Sequence, residues 1–394
     1  MLTKILLHDL INLEFTIVAM IAFLMYLRVN SLKSALIVFH LLTIFLLNGV
    51  LFPESYFWDQ RTYVKFASHF RDSLDIGPAF NNGKSVGIAV SFFGFFPMPF
   101  IDTVRSVAMI NFLLFLGMFT FAKKKIHSSN SIDYFLLLYP SLLLYSSLAL
   151  RDTLVLVFMF LSIYYLVIRK NLMLGFFLSL PLIPLKIQNF LIIYLTLYLT
   201  MLIFGNFSRG KKLALAILPL IIFITIGQLK ISRFTLGEYF TIEKIEFYRY
   251  AFFAEQYNYN FKLVSQLEYN PIDGIWSLIL LGIKSFFTLL LKPFPWQATN
   301  PLRIVQSIEN LFIFGIVIYF LFRKCSIESL NYRYNFMKVM LIISMGLNGL
   351  VVFNYGSAVR AKFTFIVIYL VLSILLLQTD RKLSKQYLKG SIRL

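Results

Sequence analysis

The side chains of this sequence that could bind or transform a ligand are a small set of charged residues between long apolar runs. Charged groups are costly at membrane depth, so they are rarely retained there without a function. Guanidinium and ammonium groups bind the oxygens of phosphate. The candidate ligands of an anionic substrate are Arg151, Lys186, Arg249, Lys292, Arg303, Arg360 and Lys362. The alternative is pairing within the chain, of Arg151 with Asp152 or of Arg303 with Glu309.

Two carboxylates are the candidate general bases, which would take a proton from a reacting hydroxyl group. Asp59 opens a hydrophilic stretch in the sequence FWDQRTY, and Glu309 lies six residues after Arg303 in a predicted helix. Asp102 and Asp152 stand instead at predicted helix starts, where a carboxylate stabilises the positive end of the helix dipole. We therefore expect Asp102 to cap a helix, and either Asp59 or Glu309 to act as the base.

Other kinds of site lack the residues that they need. The four histidines do not have the spacing of metal ligands. Cys325 is the only cysteine, which excludes an internal disulfide and a multi-cysteine metal site. The sequence has no glycine-rich phosphate loop that ends in Lys and Ser or Thr, which argues against an ATPase. We expect no metal ion and no cofactor.

The elements that must position these residues are apolar helices. Hydrophobic residues make up 59% of the 394-residue chain and charged residues 14%, whereas soluble domains carry about 25% charged residues. The mean hydropathy is +0.78. Many apolar runs approach about 20 residues, the length of a helix that crosses the hydrocarbon core. We therefore predict an all-α, polytopic transmembrane protein that forms a single membrane domain over residues 1–394.

About eleven apolar runs are predicted to span the membrane. They are 11–27, 34–52, 104–122, 132–149, 153–168, 172–185, 190–204, 213–229, 303–322, 336–355 and 362–378. Two further segments, 86–100 and 275–292, are predicted to be re-entrant or interfacial. The first is short and ends near two prolines, and the second contains Lys284. Irregular backbone at membrane depth is tolerated where it lines protein or a wet cavity, so both segments indicate a site on their side.

The basic residues define the predicted orientation. The net charge is +19, but many basic residues form clusters at the ends of apolar runs, as cytoplasmic loops do. We therefore expect no binding of nucleic acid. The clusters are Arg28/Lys33, Lys123–Lys125, Arg169/Lys170, Arg209–Lys212, Arg323/Lys324 and Arg381–Arg393. Segments 53–103 and 230–302 then form external loops, and the candidate cations lie on the external side.

Four stretches of the sequence resemble known families. PSLLLYSSLALRDTLVL (140–156), LKPFPWQATNPLRIVQSIENL (291–311) and NYGSAVRAKFTF (354–365) resemble bacterial polysaccharide polymerases of the Wzy type. FWDQRTYVKFA (57–67) resembles the Asp-x-x-x-Tyr loop of GT-C-like glycosyltransferases, which use lipid-linked sugars. The resemblance extends over about a third of the chain, and these four stretches carry its motifs.

The resemblance implies a GT-C-like fold and an activity at the outer face of the bacterial inner membrane. It implies undecaprenyl-diphosphate-linked oligosaccharides as substrates, membrane lipid around them, and a chain-length regulator protein as a further partner. The implied reaction moves a growing glycan from its lipid diphosphate to the non-reducing end of a new lipid-linked unit. The diphosphate would then lie near Arg151, Lys186 and Arg360. Lys186 and Lys362 stand where the polymerases often have arginine.

Two rival functions remain open. A GT-C-like glycosyltransferase with a polyprenyl-phosphate sugar donor would share the fold and the external site. A second acid close to Asp59 would favour it, and Asp72 and Asp75 are near in the sequence. A flippase for lipid-linked oligosaccharides should carry charge at mid-membrane depth, whereas the charges here are expected to crowd one edge of the membrane.

Overall fold

The chain is almost entirely helical in the computed structural model, which describes residues 2–53, 56–217, 230–231, 234–235, 241–258, 269–298 and 300–391. Within these ranges, β structure is limited to an antiparallel pair of two-residue strands, β1 (Lys230–Ile231) and β2 (Phe234–Thr235). The all-α prediction is confirmed. The chain, expected to form a single membrane domain, divides into two compact units, unit 1 (Met1–Leu191) and unit 2 (Ile192–Leu394).

Seven helices among the described residues are long and apolar enough to cross a membrane. They are Leu6–Leu27, Ser31–Val50, Val104–Ile126, Leu182–Phe204, Pro301–Leu321, Glu328–Val351 and Tyr355–Gln386. Each of them overlaps a span predicted from the sequence. In helices the backbone polar groups bond to one another, as the interior of a bilayer demands. The protein is therefore a multi-pass helical membrane protein.

The other predicted spans differ from the structure. Proline lacks a backbone N–H, and Pro140 divides the predicted span 132–149 into two shorter helices. The predicted span 172–185 contains one helix of eight residues and the start of the next. Residues 153–168 belong to a shorter apolar helix that begins at residue 152. Of the predicted span 213–229, residues 218–229 lie outside the described part of the chain.

Unit 1 is built around one buried helix. Its helices are α1 (Leu2–Leu27), α2 (Ser31–Phe45) with a π turn (Leu46–Val50), α3 (Asp59–Ser73), α4 (Gly77–Asn81), α5 (Lys84–Phe95), α6 (Val104–Phe121) with a π turn (Ala122–Ile126), α7 (Asn130–Leu138), α8 (Pro140–Ser146), α9 (Asp152–Ile163) with a π turn (Tyr164–Ile168) and α10 (Leu172–Ser179). Helix α11 (Leu182–Phe204) begins in unit 1 and continues into unit 2. Most side chains of α6 are buried, and α6 contacts α1, α2, α3, α8 and α9.

One end of unit 1 gathers basic residues. The ammonium groups of Lys33 and Lys123 both contact the buried carboxylate of Asp133. The ammonium of Lys124 lies 4.4 Å from the ring centre of Tyr26. Lys33 begins α2, and the other two lysines follow α6, so these helices run in opposite directions between this end and the other. The predicted orientation requires these basic clusters to share one end, and they do.

The opposite end of unit 1 is held by uncharged amides and one ion pair. Arg105, at the start of α6, donates from Nε to the carbonyl of Asn48 at 3.1 Å. Its Nη1 atom lies 3.0 Å from the carboxylate of Asp9. The side chain of Asn48 accepts a hydrogen bond from Gln60 at 3.0 Å. Asn48 therefore ties the end of α2 to the starts of α3 and α6.

Unit 2 packs its helices around the long C-terminal one. Its elements after α11 are the helical residues 209–217, β1, β2, α12 (Ile242–Asn258), α13 (Ile275–Leu291), a 3-10 turn (Pro295–Gln297), α14 (Pro301–Leu321), α15 (Glu328–Val351) and α16 (Tyr355–Ser391). Helix α15 contacts both α13 and α16. A Cβ atom at Gly349 would lie 2.7 Å from the carbonyl oxygen of Ser285, so only glycine lets α13 and α15 approach this closely.

Unit 2 also has a basic end. Asp380 accepts hydrogen bonds from the N–H groups of Ser326 at 3.0 Å and Ile327 at 2.9 Å. Asn206 donates to the carboxylate of Glu328 at 2.6 Å. These contacts lie beside the three basic clusters that unit 2 contributes to the predicted cytoplasmic side. The candidate substrate-binding residues of unit 2 lie toward the other ends of the same helices.

The two segments predicted to be re-entrant or interfacial are helices of modest length with irregular backbone after them. Helix α5 is followed by a turn in which Arg71 donates to the carbonyls of Gly94 (3.0 Å), Phe96 and Met98. Helix α13 has 17 residues and is followed by the 3-10 turn. Whether either segment enters the membrane from one side stays a prediction.

Candidate functional site

A buried turn of unit 1, residues 147–151, presents the first candidate cation. Polar side chains from neighbouring helices bind its backbone. Asn111 of α6 donates to two of its carbonyl groups, at 2.6 and 2.7 Å. Gln60 of α3 accepts a hydrogen bond from the N–H group of Ala149 at 2.6 Å. Both amides are fully buried, so they fix the conformation of the turn.

The guanidinium group of Arg151 emerges from this turn. Its Nη1 atom is shielded from solvent, and none of the described residues accepts a hydrogen bond from it. A buried donor without an acceptor costs about 1–3 kcal/mol. An acceptor that arrives from outside the chain would remove this cost. An anion could supply that acceptor, and binding of an anion at Arg151 stays a prediction.

The candidate base Asp59 lies close to the same turn. It is the first residue of α3, and its side chain is exposed. Its neighbour Gln60 makes the hydrogen bond to Ala149 described above. Asp59 directly precedes Gln60, and Arg151 follows Ala149 by two residues. The hydrogen bond between Gln60 and Ala149 therefore lies close to both. The structure brings these two predicted residues to one part of the unit.

The candidate cation Lys186 lies at a break in α11. Its backbone is non-helical, with φ −162° and ψ 76°, although helix surrounds it on both sides. Pro184, two residues earlier, lacks a backbone N–H and weakens the helix there. The side chain of Lys186 is half-buried. The sequence predicts a tight turn over residues 186–189, and the structure has a kink at its first residue.

A small cavity in unit 2 brings three cations together. Arg249, Lys284 and Lys292 line a space of about 40 Å³ with residues of α13 and α15. The ammonium of Lys284 lies 3.4 Å from the side-chain oxygen of Asn270. The ammonium of Lys292 has no hydrogen-bond or ion-pair partner among the described residues. The cavity therefore carries an excess of positive charge, which favours a small anionic group.

Arg249 is the most enclosed of the three cations. It is 3% exposed. Its Nε atom donates to the carbonyl of Leu350 at 2.9 Å, and Nη1 donates to the carbonyl of Asn270 at 3.1 Å. The carboxylate of Glu246 pairs with Nη1 at 2.8 Å. Since one carboxylate balances only one cation, the charges of the two lysines remain uncompensated in this cavity.

Lys362 is 1% exposed and has internal partners. Its ammonium donates to the carbonyl of Leu289 at 3.1 Å and to the side-chain oxygen of Asn310 at 2.5 Å. Asn310 in turn donates to the carbonyl of Lys292 at 2.8 Å. A cation is favourable at the carbonyl end of a helix, and this one lies at the end of α13. Direct contact between Lys362 and a substrate would require an exchange of these partners.

The candidate base Glu309 belongs to the same buried group. It is 7% exposed. Its carboxylate attracts the ammonium of Lys362 electrostatically. It is also the sequence neighbour of Asn310, which binds Lys362. Of the two candidate bases, Asp59 is therefore open to solvent and Glu309 is enclosed beside a cation.

The last two candidate cations lie where α14 meets α16. The guanidinium of Arg303 lies 5.7 Å from the ring centre of Tyr355. Gln306, one turn further along α14, donates to the carbonyl of Tyr355 at 3.4 Å. Arg360 is half-buried on α16, two residues before Lys362. Arg303 of α14 thus lies against the start of α16, and Arg360 and Lys362 follow further along α16.

Several residues that build these sites were not predicted from the sequence. Asn111 and Asn310 fix the two backbone segments that carry Arg151 and Lys292. A signal was available, because an amide within an apolar helix indicates a hydrogen bond inside the membrane protein. Glu246 is a further member of the unit 2 site, and its spacing of three residues from Arg249 on one helix was a signal for their ion pair. Lys284, which the sequence places beside the candidate cations, joins them in the cavity.

The prediction that Asp102 caps a helix is wrong. Helix α6 is capped by Thr103, whose side-chain oxygen accepts a hydrogen bond from the N–H group of Ser106 at 3.0 Å. Thr103 occupies the position immediately before the first helical residue, and Asp102 lies one residue too early to reach these N–H groups. The carboxylate of Asp102 contacts His8 of α1 instead.

A metal site was not expected, and none of the described residues form a cluster of three or more His, Cys, Asp or Glu side chains. Comparisons of the protein with family models, with curated proteins and with solved structures found no match. The functional argument therefore depends on the residues and contacts described above.

Proposed function

We propose that this protein is a polysaccharide repeat-unit polymerase with a GT-C-like fold, in the bacterial inner membrane. It transfers a glycan from undecaprenyl diphosphate to a second lipid-linked unit at the outer face of that membrane. The observation that carries the proposal is the guanidinium of Arg151. It has a shielded donor without an acceptor, on a turn that buried amides hold in place. Guanidinium binds two oxygens of a phosphate at once.

The proposed reaction exchanges one bond for another at the first sugar of the donor glycan. The acceptor hydroxyl oxygen bonds to the anomeric carbon, and the bond from that carbon to the diphosphate oxygen breaks. Asp59 takes the proton of the hydroxyl group, because it is the exposed candidate base. The leaving diphosphate keeps the electron pair. Positioned cations stabilise that charge as it develops, so the reaction needs no cofactor.

Both substrates of a polymerase carry a diphosphate. The protein offers two groups of cations, Arg151 in unit 1 and the Arg249–Lys284–Lys292 cavity in unit 2. Each group supports the binding of one anionic head group. A glycosyltransferase with a polyprenyl-phosphate sugar donor is the second candidate, and it would extend its acceptor by one sugar. A flippase is the third candidate. Loss of a flippase would leave lipid-linked units on the inner face of the membrane without changing their length.

The experiment replaces Arg151 by Lys and by Ala in a strain whose polymer ladder depends on this protein. A lysine keeps the charge and loses the paired donors of guanidinium, so both variants should fail. Loss of two charge-assisted hydrogen bonds, at roughly 1.5–3 kcal/mol each, lowers the rate about a hundredfold or more. Single repeat units should accumulate on lipid, with few polymer bands on a gel.

Two controls accompany this experiment. Arg169, at the basic end of unit 1, should tolerate Lys and Ala because no substrate contact is proposed there. Lys186 is already an ammonium, so it should tolerate Arg but not Ala or Glu. Normal polymer ladders from both Arg151→Ala and Arg360→Ala would overturn the proposal. Accumulation of lipid-linked units that lack a single sugar would favour the glycosyltransferase instead.

A further inference from the structure

A second and larger cavity of unit 2 lies beside the cation-lined one. Its volume is about 650 Å³, within the range of about 300–1,000 Å³ that is usual for small-molecule sites. It lies between α12 and the residues that lead into α13. The polar and aromatic residues of its lining are Glu243, Glu246, Phe247, Tyr250, Tyr269 and Asp273.

The aromatic side chains of this cavity are unusually exposed. Phe247 is 61% exposed and Tyr250 is 57% exposed. The face of an aromatic ring is electronegative, and the C–H groups along one face of a sugar ring carry partial positive charge. A sugar ring can therefore stack on Phe247 or Tyr250 and cover apolar area that is otherwise open.

The carboxylates of the cavity provide acceptors for sugar hydroxyl groups. Glu246 is held in place, because its carboxylate pairs with Arg249 and accepts a hydrogen bond from the hydroxyl of Tyr269. Burial, together with this hydrogen bond, raises the pKa of Tyr269 above its usual value, so its hydroxyl stays a donor. Glu243 and Asp273 lie on the same lining with no role in that pair.

The two cavities share one wall. Arg249 lines the cation-lined cavity, and its partner Glu246 lines the larger one. A single ion pair, with a distance of 2.8 Å, separates them. A cavity whose cations suit phosphate thus adjoins a cavity whose lining suits a sugar ring. In a sugar diphosphate the phosphate and the sugar are neighbours in the same way.

We propose that this cavity binds a sugar of the lipid-linked glycan and selects neutral or amine-bearing sugars over sugar acids. The inference rests on the proposed function and adds a substrate class to it. Three carboxylates face the cavity, and one of them is balanced by Arg249. A sugar carboxylate would meet like charge, whereas a protonated amine would meet opposite charge. Anionic lipid would be repelled for the same reason, which argues against a membrane-surface role for these aromatic residues.

The test measures binding of single sugars to the purified full-length protein in neutral detergent. The probes are the methyl glycosides of glucosamine, glucose and glucuronic acid, followed by saturation-transfer NMR near neutral pH. We expect glucosamine and glucose to bind, and glucuronic acid to bind at least about tenfold more weakly, which corresponds to about 1.4 kcal/mol. Equal binding of glucuronic acid, or no binding of any probe, would overturn the inference.

Variants assign the binding to this cavity. Tyr250→Ala should weaken the binding of all three probes. Because the side chain of Tyr250 is exposed, its removal should leave the fold intact. Asp273→Asn should reduce the discrimination against glucuronic acid. Glu328→Gln changes a carboxylate at the basic end of unit 2. It should alter neither the binding of the probes nor the discrimination against glucuronic acid. Unchanged sugar binding in both cavity variants would contradict the inference, as would Tyr250→Ala losing affinity only for anionic phospholipid vesicles.

The same variants separate this inference from the proposed function. Sugar binding is measured without any polymerisation, so it does not depend on Arg151. If Arg151→Ala and Arg360→Ala both leave polymer ladders normal while the cavity still selects sugars, the polymerase proposal fails and the sugar site stands. If Arg151→Ala abolishes the ladders while Tyr250→Ala and Asp273→Asn change neither sugar binding nor ladders, the sugar site fails alone.

Discussion

At the scale of single residues, the two candidate bases differ in their surroundings. Asp59 is exposed at the start of α3, and Glu309 is buried beside the ammonium of Lys362. A base must reach the proton that it removes. Asp59 meets that requirement as the structure stands, and Glu309 meets it only if its neighbours move.

We expect Asp59→Asn to abolish long polymer chains without changing the amount of protein in the membrane. The amide has nearly the same shape but cannot accept the proton. We expect Glu309→Gln to reduce polymer partially and to lower thermal stability, because it removes a negative charge that attracts the buried ammonium of Lys362. Polymer length on a gel and the melting temperature in detergent measure these outcomes. Wild-type chains from Asp59→Asn would exclude Asp59 as the base.

The chemical identity of these residues could be predicted from the sequence, but their individual roles could not. Both Arg151 and Lys362 are identified equally well as charged residues between apolar runs. Their hydrogen-bond partners differ, and those partners lie on helices that are distant in the sequence. Lys362 meets the carbonyl of Leu289 and the amide of Asn310, whereas Arg151 keeps a shielded donor without a partner in the described chain.

At the scale of elements, the end of α13 depends on a charge from α16. Lys362 binds a carbonyl of the last turn of α13 and the side chain of Asn310 on α14, and the carboxylate of Glu309 attracts its charge. A hydrogen bond to a charged group contributes about 1.5–3 kcal/mol. This group therefore holds three helices of unit 2 together.

We expect Lys362→Met to destabilise the protein by about 2–4 kcal/mol, because it leaves the carbonyl of Leu289 and the side-chain oxygen of Asn310 without this donor. Adding Glu309→Gln should recover part of that loss, because the buried negative charge that Lys362 attracts is then gone. The free energies of unfolding of both single variants and the double variant, measured in mixed micelles, give the coupling. Lys338→Met is the matched control, since the ammonium of Lys338 makes an exposed hydrogen bond to the carbonyl of Arg323. Additive losses would contradict the proposed coupling.

The turn at 147–151 depends in the same way on one amide of α6. We expect Asn111→Leu to destabilise unit 1 by about 2–4 kcal/mol, because it leaves two buried carbonyl groups without a donor. Polymer formation should fall further than stability alone explains, since the turn carries Arg151. Thr120→Val on the same helix removes a buried hydroxyl that has no hydrogen-bond partner among the described residues, and it should be neutral. A stable Asn111→Leu protein with a normal ladder would contradict this role.

Helix boundaries were harder to predict than helices. Runs of apolar residues identify α1, α6, α14 and α16, because a hydrocarbon core needs length and apolarity. The breaks depend on finer features. Pro140 divides a predicted span in two, and Thr103 rather than Asp102 occupies the capping position of α6. A shift of one residue decides which side chain can reach the free N–H groups.

At the scale of the whole molecule, each unit separates its basic clusters from its candidate site. In unit 1 the lysines around Asp133 lie at one end, and Arg151 lies toward the other. In unit 2 Asp380 marks the basic end, and the cavity of Arg249 lies away from it. The two units show the same separation independently. The sequence predicts that the basic ends face the cytoplasm.

We expect cysteines placed at positions 75 and 258 to react with an impermeant maleimide on intact spheroplasts. These positions lie in the predicted external loops. Cysteines at positions 127 and 386 should react only after lysis, because they lie beside basic clusters. All four variants carry Cys325→Ser, which removes the native thiol. The reverse pattern of labelling would rule out a site at the outer face.

The number of spans is the feature of the whole molecule that the sequence predicts least well. Hydropathy measures how apolar a run is, but it does not tell whether that run crosses the membrane or packs within the protein. The apolar residues 172–185 contain only an eight-residue helix and the start of α11. The largely buried helix α6 and the largely exposed helix α14 are similarly apolar, and only tertiary contacts distinguish them.

Helix α16 fixes how side chains at the two ends of unit 2 are rotated relative to each other around the helix axis. Its 37 residues give a length of about 55 Å, well beyond the roughly 30 Å of a hydrocarbon core. Lys362 and Asp380 are 18 residues apart on this helix (380 − 362), which is about five complete turns. Both residues therefore point to the same side of one rod, about 27 Å apart. One residue inserted between them would rotate one against the other by about 100°, so the buried ammonium and the basic end could not both keep their partners.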